Sequence, residues 1–207
     1  EGAQQSMKAV LEQYRSMEAW DIWRYLPRRE RESHKGDFGK LLLLCGSTGF
    51  TGAARMAARA AMRTGAGLVF LGVPEAIYPI VAAALDEPVV FPLPCDTDGR
   101  LSAAALPEIR ARLENADVVL AGPGMGQTAD TREIIFSLLR ETKIPLVLDA
   151  DGINVLQGHI DVLRTCTAPV ILTPHNGEFA RLYSGEPAGR YQETARLARE
   201  TGCIVLR

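Results

Sequence analysis

Short apolar runs alternate with amphipathic stretches along most of the chain from Gly39 onward. Leu41-Leu42-Leu43-Leu44-Cys45 is continuous and closed by Gly46, the pattern of a strand covered on both faces. Leu68 to Gly72, Val89 to Phe91, Asp117 to Ala121, Leu146 to Leu148 and Val170 to Leu172 repeat that pattern at shorter length. Between them, helical spacing runs over Gly52–Arg63, Glu75–Ala84, Ser102–Leu113, Thr131–Glu141, the start at Ile153–Leu156, Gly177–Tyr183 and Tyr191–Thr201. Strands separated by helices predict an α/β fold: a mostly parallel central sheet with helices on both faces, a three-layer α/β/α sandwich. The last run, Gly202-Cys203-Ile204-Val205-Leu206-Arg207, reads as one more central strand. A central strand needs a neighbour on each side, so the expected sandwich is incomplete at its C-terminus, with further machinery beyond Arg207.

Ahead of the sheet, Met7, Val10, Leu11, Tyr14, Met17, Trp20 and Trp23 fall at helical spacing between about Gln5 and Tyr25. Trp20 and Trp23 mark either a docking face or a face packed on the rest of the molecule. The expected organisation is an N-terminal helix and lead-in over 1–33 and an α/β domain over 34–207.

Composition narrows the functional classes. With 47% hydrophobic and 23% charged residues the chain can build a core, which excludes a disordered protein. Its 23 basic and 25 acidic residues leave a net charge of -2, no footprint for nucleic acid or a polybasic membrane surface. No apolar run reaches the length of a membrane span. Cys45, Cys95, Cys166 and Cys203 are widely spaced, without a CxxC pair or a His-Cys cluster, so neither a zinc site nor a redox pair is indicated. A reducing cytoplasm is the expected compartment.

Open α/β sheets bind ligands at the carboxyl ends of their strands. The first strand runs into Gly46-Ser47-Thr48-Gly49-Phe50-Thr51-Gly52-Ala53, where missing side chains and a following helix start suit an anion or a tight turn. Its spacing is neither a P-loop nor the dinucleotide fingerprint. Gly122-Pro123-Gly124-Met125-Gly126 is a second such loop, for a phosphate, a planar ring, or a turn stiffened by Pro123. In Asp149-Ala150-Asp151-Gly152-Ile153-Asn154, Asp149 could hold ribose hydroxyls, a cation or a polar network. Asp151 is an expected helix cap, and the two acids with the amide could hold Mg²⁺ through waters. His175, in Thr173-Pro174-His175-Asn176-Gly177-Glu178, is the histidine expected to face a ligand, with Glu178 at the helix start. His34-Lys35-Gly36-Asp37-Phe38-Gly39 reads either as a basic loop over a phosphate or as solvated surface; His159 reads as an exposed loop residue. The residues alone point to a phosphate-containing ligand on an α/β domain.

Six segments in order, HKGDFG at 34–39, GSTGFTGAA at 46–54, RTGAGLV at 63–69, GPGMG at 122–126, DADGIN at 149–154 and TPHNGEFARL at 173–182, resemble the ADP- or ATP-dependent NAD(P)H-hydrate dehydratases. The resemblance runs from about His34 to Arg207 and implies a ribokinase-like fold. It implies repair of NADHX and NADPHX, nicotinamide dinucleotides hydrated at C6. The C6 hydroxyl receives a phosphoryl group from ADP or ATP with Mg²⁺, and phosphate then leaves where hydroxide would leave poorly. Carried over by motif, Ala53, Gly124 or Gly126 (best Gly126) and His175 contact the hydrated dinucleotide, Asp149 and Asn154 shape the cleft, and Arg207 stands at the nucleotide contact. The resemblance also implies a functional partnership with an NAD(P)HX epimerase. Exposed apolar surface at an open sheet edge adds the expectation of a homo-oligomer.

The family continues past the position of Arg207, usually a lysine, into a Gly-Gly-x-Gly-Asp segment whose aspartate acts as base. The catalytic aspartate is therefore expected beyond Arg207, and the chain as it stands is expected to be weak or inactive. Two other readings stay open: a different ribokinase-like small-molecule kinase, and a catalytically inactive nucleotide-binding module.

Overall fold

The computed structural model describes residues 25, 26 and 29–207. The chain divides into two compact units, 1–33 and 34–207. The helix expected over Gln5 to Tyr25, with Trp20 and Trp23, lies outside the described residues apart from Tyr25 itself. All strands described below belong to the second unit.

The sheet is built from β1 (Lys40–Leu44), β2 (Leu68–Pro74), β3 (Val89–Leu93), β4 (Val118–Ala121), β5 (Leu146–Leu148), β6 (Val170–Leu172) and β7 (Ile204–Val205). Every pairing is parallel, and the order is β3-β2-β1-β4-β5-β6-β7. The helices are α1 (Thr51–Arg63), α2 (Tyr78–Ala82), α3 (Leu106–Leu113), α4 (Ala129–Glu141), α5 (Asp151–Asn154), α6 (Asn176–Leu182) and α7 (Arg190–Thr201). This is the expected α/β sandwich, and each apolar run read as a strand forms one.

Alternation along β1 sorts the core into two layers. Leu43 and Cys45 join Ala54 and Ala58 of α1 and Val81 of α2 on one face. Leu42 and Leu44 join Ile109 of α3, Ile134 and Leu138 of α4 and Leu197 of α7 on the other. Each fully buried leucine contributes about 2 kcal/mol through lost water contact. The small alanines of α1 let it lie close to the strands.

One lateral row shows how unevenly the first face is covered. Leu71, Leu43, Leu120, Val147, Ile171 and Ile204 are neighbours in register across six strands. Leu71 and Leu43 are buried, Leu120, Val147 and Ile171 are half-buried, and Ile204 is 59% exposed. The run over 202–207 supplies β7, Ile204–Val205, which pairs with β6, and its Ile204 and the following Leu206 are exposed.

The segment 34–39 also departs from one of its two readings. Lys35–Phe38 is a short 3₁₀ turn just before β1, and Gly67 and Leu68 donate to Phe38 and Gly39 at the start of β2. It lies at the amino ends of the strands, away from the loops at their carboxyl ends. His34 is 76% exposed there and pairs with Asp37, so it covers no phosphate at those loops.

Candidate ligand site at the switch point of the sheet

Chain direction across the sheet reverses between β1 and β4, since β2 and β3 lie on one side and β5 to β7 on the other. Such a switch point opens a crevice between the loops that leave the two strands. Here both loops are glycine-rich, and they are stitched together. Gly46 donates its backbone N–H to the Pro123 carbonyl at 2.8 Å, and the buried Ser47 hydroxyl donates to the Gly124 carbonyl at 2.7 Å. A side chain on Gly124 would meet the Cβ atoms of Ala53 and Phe50, each at 2.9 Å. The GPGMG turn thus closes on the first turn of α1. That helix starts without a side-chain cap and without an acid in its first turn, leaving its positive end turned to the crevice.

The third loop joins through close backbone approach. Gly122 has φ +128, and a Cβ there would sit 1.9 Å from the Asp149 carbonyl oxygen. Ala150, at φ 50 and ψ -118, is in a conformation that costs a non-glycine residue about 1–3 kcal/mol. It sits between two carboxylates that turn to different partners. Asp149 accepts the Thr173 hydroxyl at 2.7 Å. Asp151 accepts the Gly126 N–H at 2.9 Å and the Gln127 amide at 3.2 Å. Asn154 in turn accepts from Arg181 at 2.8 Å.

Asp151 is therefore not the helix cap expected of it. Ala150 occupies the cap position, and the Asp151 carboxylate ties β4's loop to α5. Of the three side chains expected near a cation, Asp149 bonds to Thr173, whereas Asp151 bonds to the glycine turn and also accepts the Asn154 amide at 3.4 Å. Beneath them Cys45 is fully buried; burial, with the Asp149 charge adding, pushes its thiol well above the ordinary range.

His175 sits at the end of β6 with its ring 68% exposed. Its Nδ1 accepts from the backbone N–H groups of Gly177 at 2.9 Å and Glu178 at 3.4 Å, so the ring caps α6 and its proton is on Nε2. Nε2 lies 3.2 Å from the buried Glu178 carboxylate, which also accepts the His175 N–H. This reciprocal pair is a capping box with histidine in the role of serine. The exposed face of the ring remains available for contact.

Arg207 is held beside that helix. Its guanidinium lies 3.8 Å over the Phe179 ring, donates to Glu193 at 2.8 Å and to Asn176 at 3.2 Å, and its side chain is 13% exposed. Bonding from Arg207 holds the Glu193 carboxyl below its usual range. The expected nucleotide contact is thus committed to protein partners.

Ala53, Gly124, Gly126, Asp149 and Asn154 are gathered by one set of contacts around the crevice, with His175 two residues beyond Thr173. Asp151, expected only as a cap or a cation ligand, belongs to the same surroundings, as do Thr173, Phe50 (59% exposed beside Gly124) and Arg100, which sequence context had not singled out as site residues. A cavity of about 430 Å³ lies elsewhere, lined by Arg110, Arg132, Phe136 and His159 on α3, α4 and the turn after α5. Its volume says nothing for the chemistry, because the crevice loops do not line it. His159 packs edge-on against Phe136 there. Among the described residues no helix is long and apolar enough to cross a membrane.

The sequence profile of NAD(P)H-hydrate dehydratase matches residues 41–207. A bifunctional NAD(P)H-hydrate repair enzyme, Nnr, from Moorella thermoacetica is 40% identical over 186 residues, covering 87% of this chain and 35% of that protein. The ADP-dependent (S)-NAD(P)H-hydrate dehydratase of Streptococcus pneumoniae is 38% identical over 157 residues, 74% of this chain and 50% of the relative. The chain thus spans about a third to a half of the length of these curated relatives. Among solved structures, a ribokinase-like superfamily protein from Enterococcus faecalis superposes with TM-score 0.71 at 25% identity, over 87% of this chain and 61% of that one. The ADP/ATP-dependent NAD(P)H-hydrate dehydratase of Bacillus subtilis, co-crystallised with ATP/Mg2+, superposes with TM-score 0.65 at 28% identity, over 88% and 62%.

Proposed function

The chain belongs to the NAD(P)H-hydrate dehydratase family, and from that premise we propose that it serves the nucleotide-dependent dehydration of NADHX and NADPHX. The observation that carries this reading is the pair of stitched glycine loops at the β1–β4 switch point, facing the uncapped start of α1. Backbone N–H groups without side-chain cover suit the phosphates of a dinucleotide. In this reading Ala53, Gly124 and Gly126 form the floor of the substrate site, Asp149 and Asn154 hold its wall, and the exposed face of His175 meets the substrate. Arg207 reaches a nucleotide only by leaving Glu193.

The chemistry asks for two steps. The C6 hydroxyl gives its proton to a base as its oxygen attacks the terminal phosphorus of ADP or ATP, and the bond to the departing AMP or ADP breaks. The C6–O bond then breaks with its electron pair on phosphate, a proton leaves C5, and the dihydronicotinamide ring is restored. Mg²⁺ would enter with the nucleotide, as the ATP/Mg2+ of the co-crystallised Bacillus subtilis relative suggests. Work alongside an NAD(P)HX epimerase is part of the proposal, supported by the bifunctional names of the relatives.

The deciding assay incubates the full-length gene product with NADHX and Mg²⁺, adding ADP and then ATP. Loss of the NADHX absorbance with gain of NADH absorbance, dependent on a nucleotide, is the expected result and identifies the donor. A folded protein that binds ADP or NADHX without conversion would overturn it in favour of a binding module.

A further inference from the structure

The hairpin after β3 brings an arginine into the crevice that the reading above leaves without a task. We infer that Arg100 is a specificity-determining residue that takes a phosphate group of the dinucleotide; this rests on the dehydratase reading.

Position is the first argument. A Cβ built on Gly126 would lie 3.0 Å from Cδ and 3.2 Å from Nε of Arg100, so the arginine stem crosses the corner of the glycine turn. Gly126 is bare on that side and bonded through its N–H to Asp151 on the other.

The presentation is rigid. Cys95 and Leu101 form an antiparallel bridge, and Asp96 donates to the Arg100 carbonyl at 2.8 Å. The Asp96 carboxylate accepts the Asp98 and Arg100 N–H groups at 3.0 and 2.8 Å, closing the turn. The hairpin is pinned to the β1 loop by the bond from Thr48 N–H to the Gly99 carbonyl at 3.1 Å. Gly99 packs so tightly there that a Cβ would lie 2.0 Å from the Thr48 hydroxyl. A long side chain on a loop ordinarily loses much freedom on binding a ligand; here its base is already fixed at three points.

The charge is available. Arg100 pairs with Asp98 through one nitrogen at 3.1 Å, with the two side chains 40% and 68% exposed. An exposed pair of this kind is weak, whereas a guanidinium fork grips a phosphate with two charge-assisted bonds. Asp98 therefore acts as a placeholder that an incoming phosphate displaces. Across the crevice the start of α1 adds positive potential of the same sign.

The dinucleotide offers two such groups, the pyrophosphate common to both substrates and the 2′-phosphate of NADPHX. The test compares full-length wild type with Arg100→Gln and Arg100→Lys, measuring kcat and KM for NADHX, NADPHX and ADP, with thermal melts confirming that all fold alike. Arg100→Gln is expected to raise the dinucleotide KM about tenfold, with kcat and the ADP KM changed less than about twofold, and Arg100→Lys to recover part of the loss. A rise for both dinucleotides assigns the pyrophosphate; a rise for NADPHX alone assigns the 2′-phosphate. Unchanged dinucleotide KM values, or a rise confined to ADP, overturn the inference while wild-type turnover keeps the dehydratase reading. Absence of wild-type turnover overturns that reading, and the inference with it.

Discussion

Gly122 shows how much of the site rests on single atoms. Its φ of +128 strains any other residue, and a Cβ would lie 1.9 Å from the Asp149 carbonyl and 2.6 Å from the Gly152 N–H. Both obstacles are backbone, which cannot swing aside as a side chain end can. Gly122→Ala is therefore expected to cost about 3 kcal/mol or more, read as a lowered urea midpoint. The dinucleotide site should weaken with it, because Asp149 would be pushed from Thr173. The motif letters DADGIN identified Asp149 and Asn154 as belonging to the crevice. They misplaced Asp151, whose partner Gly126 is 25 residues away and invisible to any local capping rule.

Among elements, the strands were legible because a parallel strand buried on both faces leaves an unbroken apolar run, as over Leu41–Cys45. Helix ends were legible to within a few residues where a cap or a glycine marks them, as Gly202 does after α7 in the left-handed conformation. What the pattern could not supply was strand order: β1 lies between β2 and β4, a placement that only the pairing reveals.

Contacts between elements also set a pH response. Arg110 of α3 grips Glu141 of α4 with bonds of 2.6 and 2.8 Å, and Ser137 donates to the same carboxylate at 2.7 Å. These bonds, Arg110's foremost, lower the Glu141 pKa from 4.5 to about 2. A carboxyl depressed on folding stabilises the fold fully above its unfolded pKa, and that contribution fades as pH falls toward the folded value. The stability difference between wild type and Glu141→Gln should thus be present at pH 6 and shrink between about pH 4.5 and 2. Urea titrations at several pH values would check this. The effect should be modest and reduced by salt, because both side chains are more than a third exposed.

At the scale of the molecule, the sequence placed ligands at the carboxyl ends of the strands, which follows from any α/β reading. It did not say which loops meet. Only the order β3-β2-β1-β4 makes the Gly46 loop a neighbour of the Gly122 loop, and only the hairpin bound at Thr48 adds Arg100 to them. Strand order is a global property, fixed by how the helices cross the sheet, and no single segment encodes it.

Cys45 lies under this seam, and its burial turns a core residue into a clock. Cys95 and Cys166 are partly exposed and should react with a thiol reagent at once, whereas Cys45 is fully buried beneath α1. Its labelling can proceed only when the covering α1 lifts from the sheet, so the slow phase times local opening beside the first glycine loop. A molecule bridging the two glycine loops would hold α1 against them and lengthen the phase by the factor 1 + L/Kd, where L is the free ligand concentration. Mass spectrometry of the Cys45 peptide, with and without NADP⁺ or ADP, would then report binding without any turnover. A Cys45 that labels as fast as Cys95 would show that the seam opens freely.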